Sequence, residues 1–340
     1  MKELSGEERM LRVLEKKETD RVPSFEWYID KKVIEAISPG SDYEKFCYDM
    51  DLDAMCVDCN FDKKFIDNGL IQDEWGMIKK DTGESHTFPV DGPIRTLKDA
   101  EQYIPPDPHR QGRYDFMEKA IKEHGGKKAV ILHLNDVFSI PSRLMPFNEF
   151  LMKLIDEPEV IRTLVRMSVD INLEFAKEAK KRGIKIVYTG DDFAYNSGPI
   201  VSPGQFRDIF SPELKRVING YKELGLLVIK HTDGNIMPII DMIIESGFDC
   251  IDPIDPIAGM SLQRIKSEYG SKICIKGNVD CSSTLSFKGT AETIEETKKC
   301  LDIGMPGGGY ILSSSNSIHS AVKPENYRAM LETLKQFGQY

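Results

Sequence analysis

Along this chain, short blocks of consecutive aliphatic and β-branched residues alternate with longer stretches in which apolar positions recur every three or four residues. The short blocks have the pattern of buried strands, and the long ones have the pattern of amphipathic helices. Residues 22–27 (VPSFEW), 53–58 (DAMCVD), 129–135 (AVILHLN), 185–192 (KIVYTGDD), 226–231 (LLVIKH), 248–253 (FDCIDP), 272–280 (KICIKGNVD) and 309–315 (GYILSSS) read as eight strands. Their near-continuous apolar character is what a parallel sheet covered on both faces requires.

The helical stretches carry their own start and stop signals. Between residues 156 and 183, Val160, Leu164, Met167, Ile171 and Phe175 form one apolar stripe, and Gly183 stands at the C-terminal cap. Ser202 is placed as an N-cap, Pro203 fills the first helical position and Gln205 completes a capping box, whereas Ser211-Pro212 breaks or restarts that helix. Gly183, Gly225, Gly247 and Gly270 each close a helix shortly before the next strand. This repeating unit predicts an α/β fold, a (β/α)8 TIM barrel whose chemistry gathers at the C-terminal ends of the strands.

Residues 59–128 are too long for one plain connection. The alternating polarity of residues 69–94 around a DTGE turn predicts a β-hairpin inserted between strands 2 and 3 and covering the barrel mouth. No linker appears, so residues 1–340 read as a single barrel domain. The glycines of GMPGGGYIL precede a strand, the reverse of a phosphate-binding arrangement, and read as a helix-to-strand turn.

Composition narrows the class of function. With 40% hydrophobic and 29% charged residues the chain is an ordinary globular protein, and a net charge of -10 argues against a nucleic-acid partner. The charged N-terminus lacks the apolar stretch of a signal peptide and no run is long enough to span a membrane, so a cytoplasmic location is expected. The cysteines Cys47, Cys56, Cys59, Cys250, Cys274, Cys281 and Cys300 show no scaffold spacing and suit reduced thiols. Cys56 and Cys59 form a CxxC, but in a strand their side chains point to opposite faces, which disfavours a shared metal or disulfide.

The predicted strand ends are unusually polar: Glu26, Trp27, Asp58, His133, Asn135, Asp191, Asp192, His231, Asp233, Asp252, Asp255, Asn278, Asp280 and Asn316. Several have a structural alternative. One of Asp191 and Asp192 caps a turn, Asp252 and Asp255 flank prolines in a rigid turn, and His133 is as readily a hydrogen-bonded barrel residue as a ligand. His231 and Asp233 differ because an extended His-x-Asp can aim both side chains into the mouth, where they suit a metal ion or an oriented general acid. Asp192, Glu26 and Asn316 are the candidates for a third ligand.

The segments RVP, DEWG, GDDFAYNSGPIVSPGQFRDIFSPELKRVI, KHTDGNI, GFDCIDPIDP, ICIKGNVD and GGGYILSSSNSIHSAVKPENY together resemble the uroporphyrinogen decarboxylase superfamily over nearly the whole chain. The decarboxylases of that superfamily hold tetrapyrrole carboxylates with an arginine-rich segment, and here SFEWYIDKK has no arginine. The other branch, cobalamin-dependent methyltransferases, implies zinc on a His-x-Cys after strand 5 and a cysteine after strand 8. This chain has His231, but Asp233 and Asn316 stand where the thiolates would be.

The departure implies transfer from a methyl donor, such as an aromatic methyl ether, to the cobalamin of a separate corrinoid protein that docks transiently. His231, Asp233 and Asp192 are then expected to be catalytic and to form a metal site, with zinc as the implied ion. Glu26, Trp27, Asp58, Asn135, Asn278 and Asn316 are expected to bind substrate, and Trp27, Tyr28, Phe61, Phe138 and Phe193 are candidates for an aromatic wall. The absence of a DxHxxG motif places the corrinoid on another chain. The alternatives are a decarboxylase-like tetrapyrrole enzyme and a non-catalytic corrinoid or tetrapyrrole binder.

Overall fold

The computed structural model describes residues 3–66, 69–81 and 87–340. Seven strands, Ala54–Val57, Ala129–Leu134, Ile186–Gly190, Leu227–His231, Cys250–Asp252, Cys274–Val279 and Tyr310–Ser314, lie side by side in chain order in one parallel sheet. Each matches a predicted block to within two or three residues. Helices return the chain between them, including Pro158–Lys181, which buries Val160, Leu164, Ile171 and Phe175.

The predicted first strand is the exception. Residues 22–24 do sit between the two edges of the sheet: the Asp53 N–H donates to the Ser24 carbonyl (2.8 Å) and the Leu312 N–H to the Pro23 carbonyl (2.9 Å). Among the described residues, their one pairing is the isolated bridge of Ser24 with Leu312. Pro23 has no N–H to give, and the Ser24 N–H donates to the Asp53 carboxylate at 2.8 Å instead of to a neighbouring strand.

The curled sheet has two cores. Outside it, strands pack against helices. Inside it, Ala54, Ile131, Tyr188, Ile229, Cys250, Cys274 and Ile311 meet Met10, Val13 and Leu14 of the helix Gly6–Leu14. That helix closes the N-terminal end of the strands, with Gly6 so near the Asp53 and Lys127 carbonyls that an added Cβ would lie 2.8 and 2.9 Å from them. The charged N-terminal sequence concealed this plug, although Ser5 and Glu8 form a capping box there.

The insertion is larger than a hairpin. Strands Lys63–Phe65, Leu70–Asp73, Ile78–Lys80 and Phe88–Asp91 form a four-stranded antiparallel sheet. Its tight turn is DEWG, where the Asp73 carboxylate accepts the N–H groups of Trp75 and Met77 (both 3.0 Å) and Gly76 adopts φ +75°. Of the DTGE turn, residues 82–84 lie outside the described residues.

The Ser202/Gln205 capping box forms as its sequence predicts. Five residues of π-helix, Phe206–Phe210, then lead into the helix Ser211–Glu223. Pro212 cannot donate to the Asp208 carbonyl, which accepts from the Arg162 guanidinium instead (2.7 Å). Gly307, Gly308 and Gly309, all at positive φ, make the helix-to-strand turn before Tyr310. All seven cysteines are free thiols, Cys56 and Cys59 included.

Candidate active site

Parallel register assembles the site. His231, the last residue of its strand, pairs across the sheet with Asp252, the last residue of the next, so both side chains point inward at the same level. His231 Nδ1 lies 3.0 Å from Asp252 Oδ2, which also accepts the Tyr188 hydroxyl at 2.6 Å. The other oxygen of Asp252 accepts the Lys276 ammonium at 2.7 Å. All four residues are buried.

The opposite edge of the imidazole faces two carboxylates. His231 Nε2 is 3.5 Å from Asp233 Oδ1 and 3.6 Å from Asp192 Oδ1. Asn316 fixes Asp233 by donating to its Oδ2 at 2.5 Å, and the Asp233 N–H donates to Asp192 Oδ1 at 3.0 Å. Asp233 Oδ1 is buried with no hydrogen-bond partner.

Electrostatics follow from this packing. Burial opposes a charged His231, but Asp233, Asp252 and Asp192 outweigh it and push the imidazole up to about 9. Burial raises Asp233 to about 7, against the pull of His231. Asp252 is driven the other way: the Lys276 and His231 charges overcome its burial and bring it to about 2. The layer therefore contains a Lys276–Asp252 ion pair beneath His231 and Asp233, which both bind their protons more tightly than usual, with the Asp192 carboxylate beside them.

Above this layer opens a cavity of about 790 Å³, lined on one side by Trp27, Tyr28, His133, His231, Asp192 and Asp233. Trp27 stands between the two histidines, with ring centroids 5.0 Å from His133 and 5.5 Å from His231. His133 forms a second histidine–carboxylate pair, its Nδ1 2.7 Å from Asp58 Oδ1. Lys63 and Lys79 of the inserted sheet and Arg143 complete the rim.

A model of the uroporphyrinogen decarboxylase (URO-D) family matches residues 5–337. The chain belongs to that family. It is 21% identical over 259 residues to the uroporphyrinogen decarboxylase of Trichlorobacter lovleyi, covering 73% of each chain. It is 24% identical to the methylcobamide:CoM methyltransferase MtbA of Methanosarcina acetivorans, over 67% of this chain and 65% of that one. A solved methyltransferase from Methanosarcina mazei superposes with a TM-score of 0.79 at 17% identity, covering 98% of this chain and 99% of that one. The fold is thus that of the family's (β/α)8-barrel relatives.

In this URO-D chain the structure brings His231, Asp233 and Asp192 together, with donor atoms all within 4.8 Å of one another. Trp27, Asp58 and Asn316 also reach the cavity wall. Glu26 lies beneath it, accepting the N–H and hydroxyl of Ser314 (both 2.8 Å), and burial pushes its carboxyl up to about 7.

Two expected substrate contacts have structural partners. Asn135 donates to Asp191 (2.9 Å), whose carboxylate also takes the N–H groups of Asp136, Phe138 and Ser139 and so caps the next helix. Asn278 donates to the Ile254 carbonyl (2.7 Å), away from the cavity. Asp255 and Asp280 accept backbone N–H groups in turns. Phe138 and Phe193 pack with Phe206 and Phe210 in the outer core, and Phe61 packs on Trp75 and Phe175.

Two residues of the site escaped sequence reasoning, and a third was read chiefly as a turn residue. Asp252 is the partner of His231, not only a turn residue, and Tyr188 and Lys276 complete its shell. Lys276 did carry a signal: a lysine inside an otherwise apolar strand requires a buried counter-ion.

Proposed function

We propose that this protein is a corrinoid-dependent methyltransferase that moves a methyl group from a small methylated donor, an aromatic methyl ether, to the corrinoid of a separate, transiently docked protein. The observation that carries the reading is the oxygen-rich set around His231. Asp233 and Asp192 face its Nε2 at the floor of a cavity large enough for a substituted benzene ring, beside Trp27. The relatives of this chain include a methylcobamide:CoM methyltransferase, which supports the same branch.

A divalent cation such as zinc fits the donors present. His231 Nε2, Asp233 Oδ1 and Asp192 Oδ1 are mutually close, Asp233 Oδ1 is buried without a partner, and Asp252 orients the imidazole through Nδ1 as outer carboxylates do for metal-binding histidines. Bound there, the ion supplies Lewis acidity toward the ether oxygen of the donor. The chain's residues do the rest: Asp252 fixes the imidazole, Asn316 fixes Asp233, and Trp27 provides a flat wall.

One observation favours a metal-free variant of the same reaction. The carboxylates around His231 hold it protonated at neutral pH, so its Nε2 proton is available to the oxygen that departs as the methyl–oxygen bond breaks. Incubation with a reduced corrinoid protein and a panel of methyl donors, followed by the cobalt absorption spectrum, tests the function. Formation of methyl–cobalt is expected; none with any donor, or release of CO2 from uroporphyrinogen, overturns the proposal. Elemental analysis of wild type, His231→Ala and Asp233→Ala separates the two variants, since a metal-free but fully active wild type leaves only proton donation.

A further inference from the structure

Beside the main cavity lies a second chamber of about 200 Å³, sharing with it Asp58, Lys63, Lys79, His133 and Arg143. The cations come from separate parts of the fold. Lys63 and Lys79 belong to the inserted sheet, and Arg143 ends the helix Ser139–Arg143 that follows a barrel strand.

The local carboxylates are already engaged. Asp58 is bonded to His133 (2.7 Å), and Asp73 holds Lys79 (2.6 Å) together with two backbone N–H groups. Among the described residues, Lys63 and Arg143 make no contact ion pair and no side-chain hydrogen bond, and Lys63 acts on Asp58 only through its nearby charge, which favours the ionised carboxylate. Both are exposed to the same concave space, in a protein whose net charge is -10. Cations of an acidic protein that line one cavity with no hydrogen-bonded counter-ion create a local potential suited to an anion.

The other wall of the chamber is aromatic. Phe61, Trp75 and Phe175 pack against one another with centroids 5.7 to 6.5 Å apart. An aromatic wall of tilted rings opposite a guanidinium and an ammonium matches an aryl group that bears a planar anion.

We propose that Lys63 and Arg143 bind the carboxylate of the substrate, so that the methyl donor is an aromatic methyl ether that also carries a carboxylate group. This deepens the methyltransferase reading and rests on it for the ether, whereas the anion site stands on the cations alone. Lys79 contributes charge at the rim while remaining paired with Asp73.

Binding to the full chain, measured by isothermal titration calorimetry, tests the site without methyl transfer. The ligands are hydroxybenzoates and methoxybenzoates, each compared with the neutral benzyl alcohol of the same substitution. The carboxylates are expected to bind at least roughly tenfold more tightly, as charge-assisted hydrogen bonds predict, and the preference should weaken as salt screens the exposed cations.

In a Lys63→Gln/Arg143→Gln variant the carboxylate-to-alcohol ratio should fall to within about twofold. Both side chains are exposed, so the variant is expected to fold, and far-UV circular dichroism checks it. Equal affinity for acids and alcohols, no carboxylate binding at millimolar concentration, or a preference that survives the double substitution overturns the proposal. Failure of methyl transfer from every donor, with the carboxylate preference intact and lost in the variant, sinks the methyltransferase reading alone. Transfer from acids and alcohols alike, unchanged in the variant, sinks the anion site alone.

Discussion

Replacing Asp252 by asparagine removes one charge from the centre of the site and keeps its shape. Asp252 is 1% exposed and accepts from Tyr188, His231 and Lys276 at 2.6, 3.0 and 2.7 Å. The amide has a single acceptor oxygen, so it cannot serve Lys276 on one side and Tyr188 with His231 on the other. Lys276, 3% exposed, then loses its bonded counter-ion. Breaking a buried pair in this way costs about 3–5 kcal/mol. Glu26, whose carboxyl feels both Lys276 and Asp252, ionises more readily once Asp252 is neutral and moves the cost toward the lower end.

At about 2.1 cal/mol/K of unfolding entropy per residue, a chain of this length should lose roughly 4–7 °C in Tm. Differential scanning calorimetry of Asp252→Asn, Lys276→Met and the double variant supplies the assay. The double variant should be destabilised by less than the sum of the singles by at least ~1 kcal/mol, because it leaves no stranded ammonium. Additivity to within ~0.5 kcal/mol would refute the view that the ion pair is a coupled unit supporting His231.

Glu26→Gln should alter the pH dependence of stability. Glu26 binds its proton more tightly folded (about 7) than unfolded (4.5), so its favourable contribution is complete below the lower value and declines as pH rises to the upper one. Relative to wild type, the variant should gain up to roughly 3 kcal/mol between pH 4.5 and 8 in urea unfolding, and an unchanged difference would remove the buried proton from the account. In Gly190→Ala the new Cβ would stand 2.6 Å from His133 Nε2, so the ring must shift, at a cost of about 1–3 kcal/mol in thermal unfolding; a neutral substitution would contradict this. Burial holds the Cys56 thiol well above its usual range and Cys59 up to about 12, so Cys56→Ser/Cys59→Ser should leave bound metal unchanged in elemental analysis. Metal lost from that variant would return thiolates to the site.

The one-dimensional pattern determined most of the barrel, because strand and helix periodicity and the glycines that close helices are local properties. It also placed His231, Asp233 and Asp192 at strand ends, since spacing alone sets which residues finish a strand. Local pattern misread the edges: residues 22–27 are apolar enough for a strand, but Pro23 and the Asp53 carboxylate remove the ladder bonds, and the insertion proved to be a four-stranded sheet.

Which polar groups face one another was decided only by the tertiary structure. Register between neighbouring strands put Asp252 against His231 and turned a residue of a proline-rich turn into its partner, whereas Asn135 and Asn278 were drawn to Asp191 and the Ile254 carbonyl. Residues 21 or more positions apart in the chain cannot announce their pairing locally. Hydrogen bonding and charge act across the gap that folding closes, so the chemistry of this mouth is set by how the strands align.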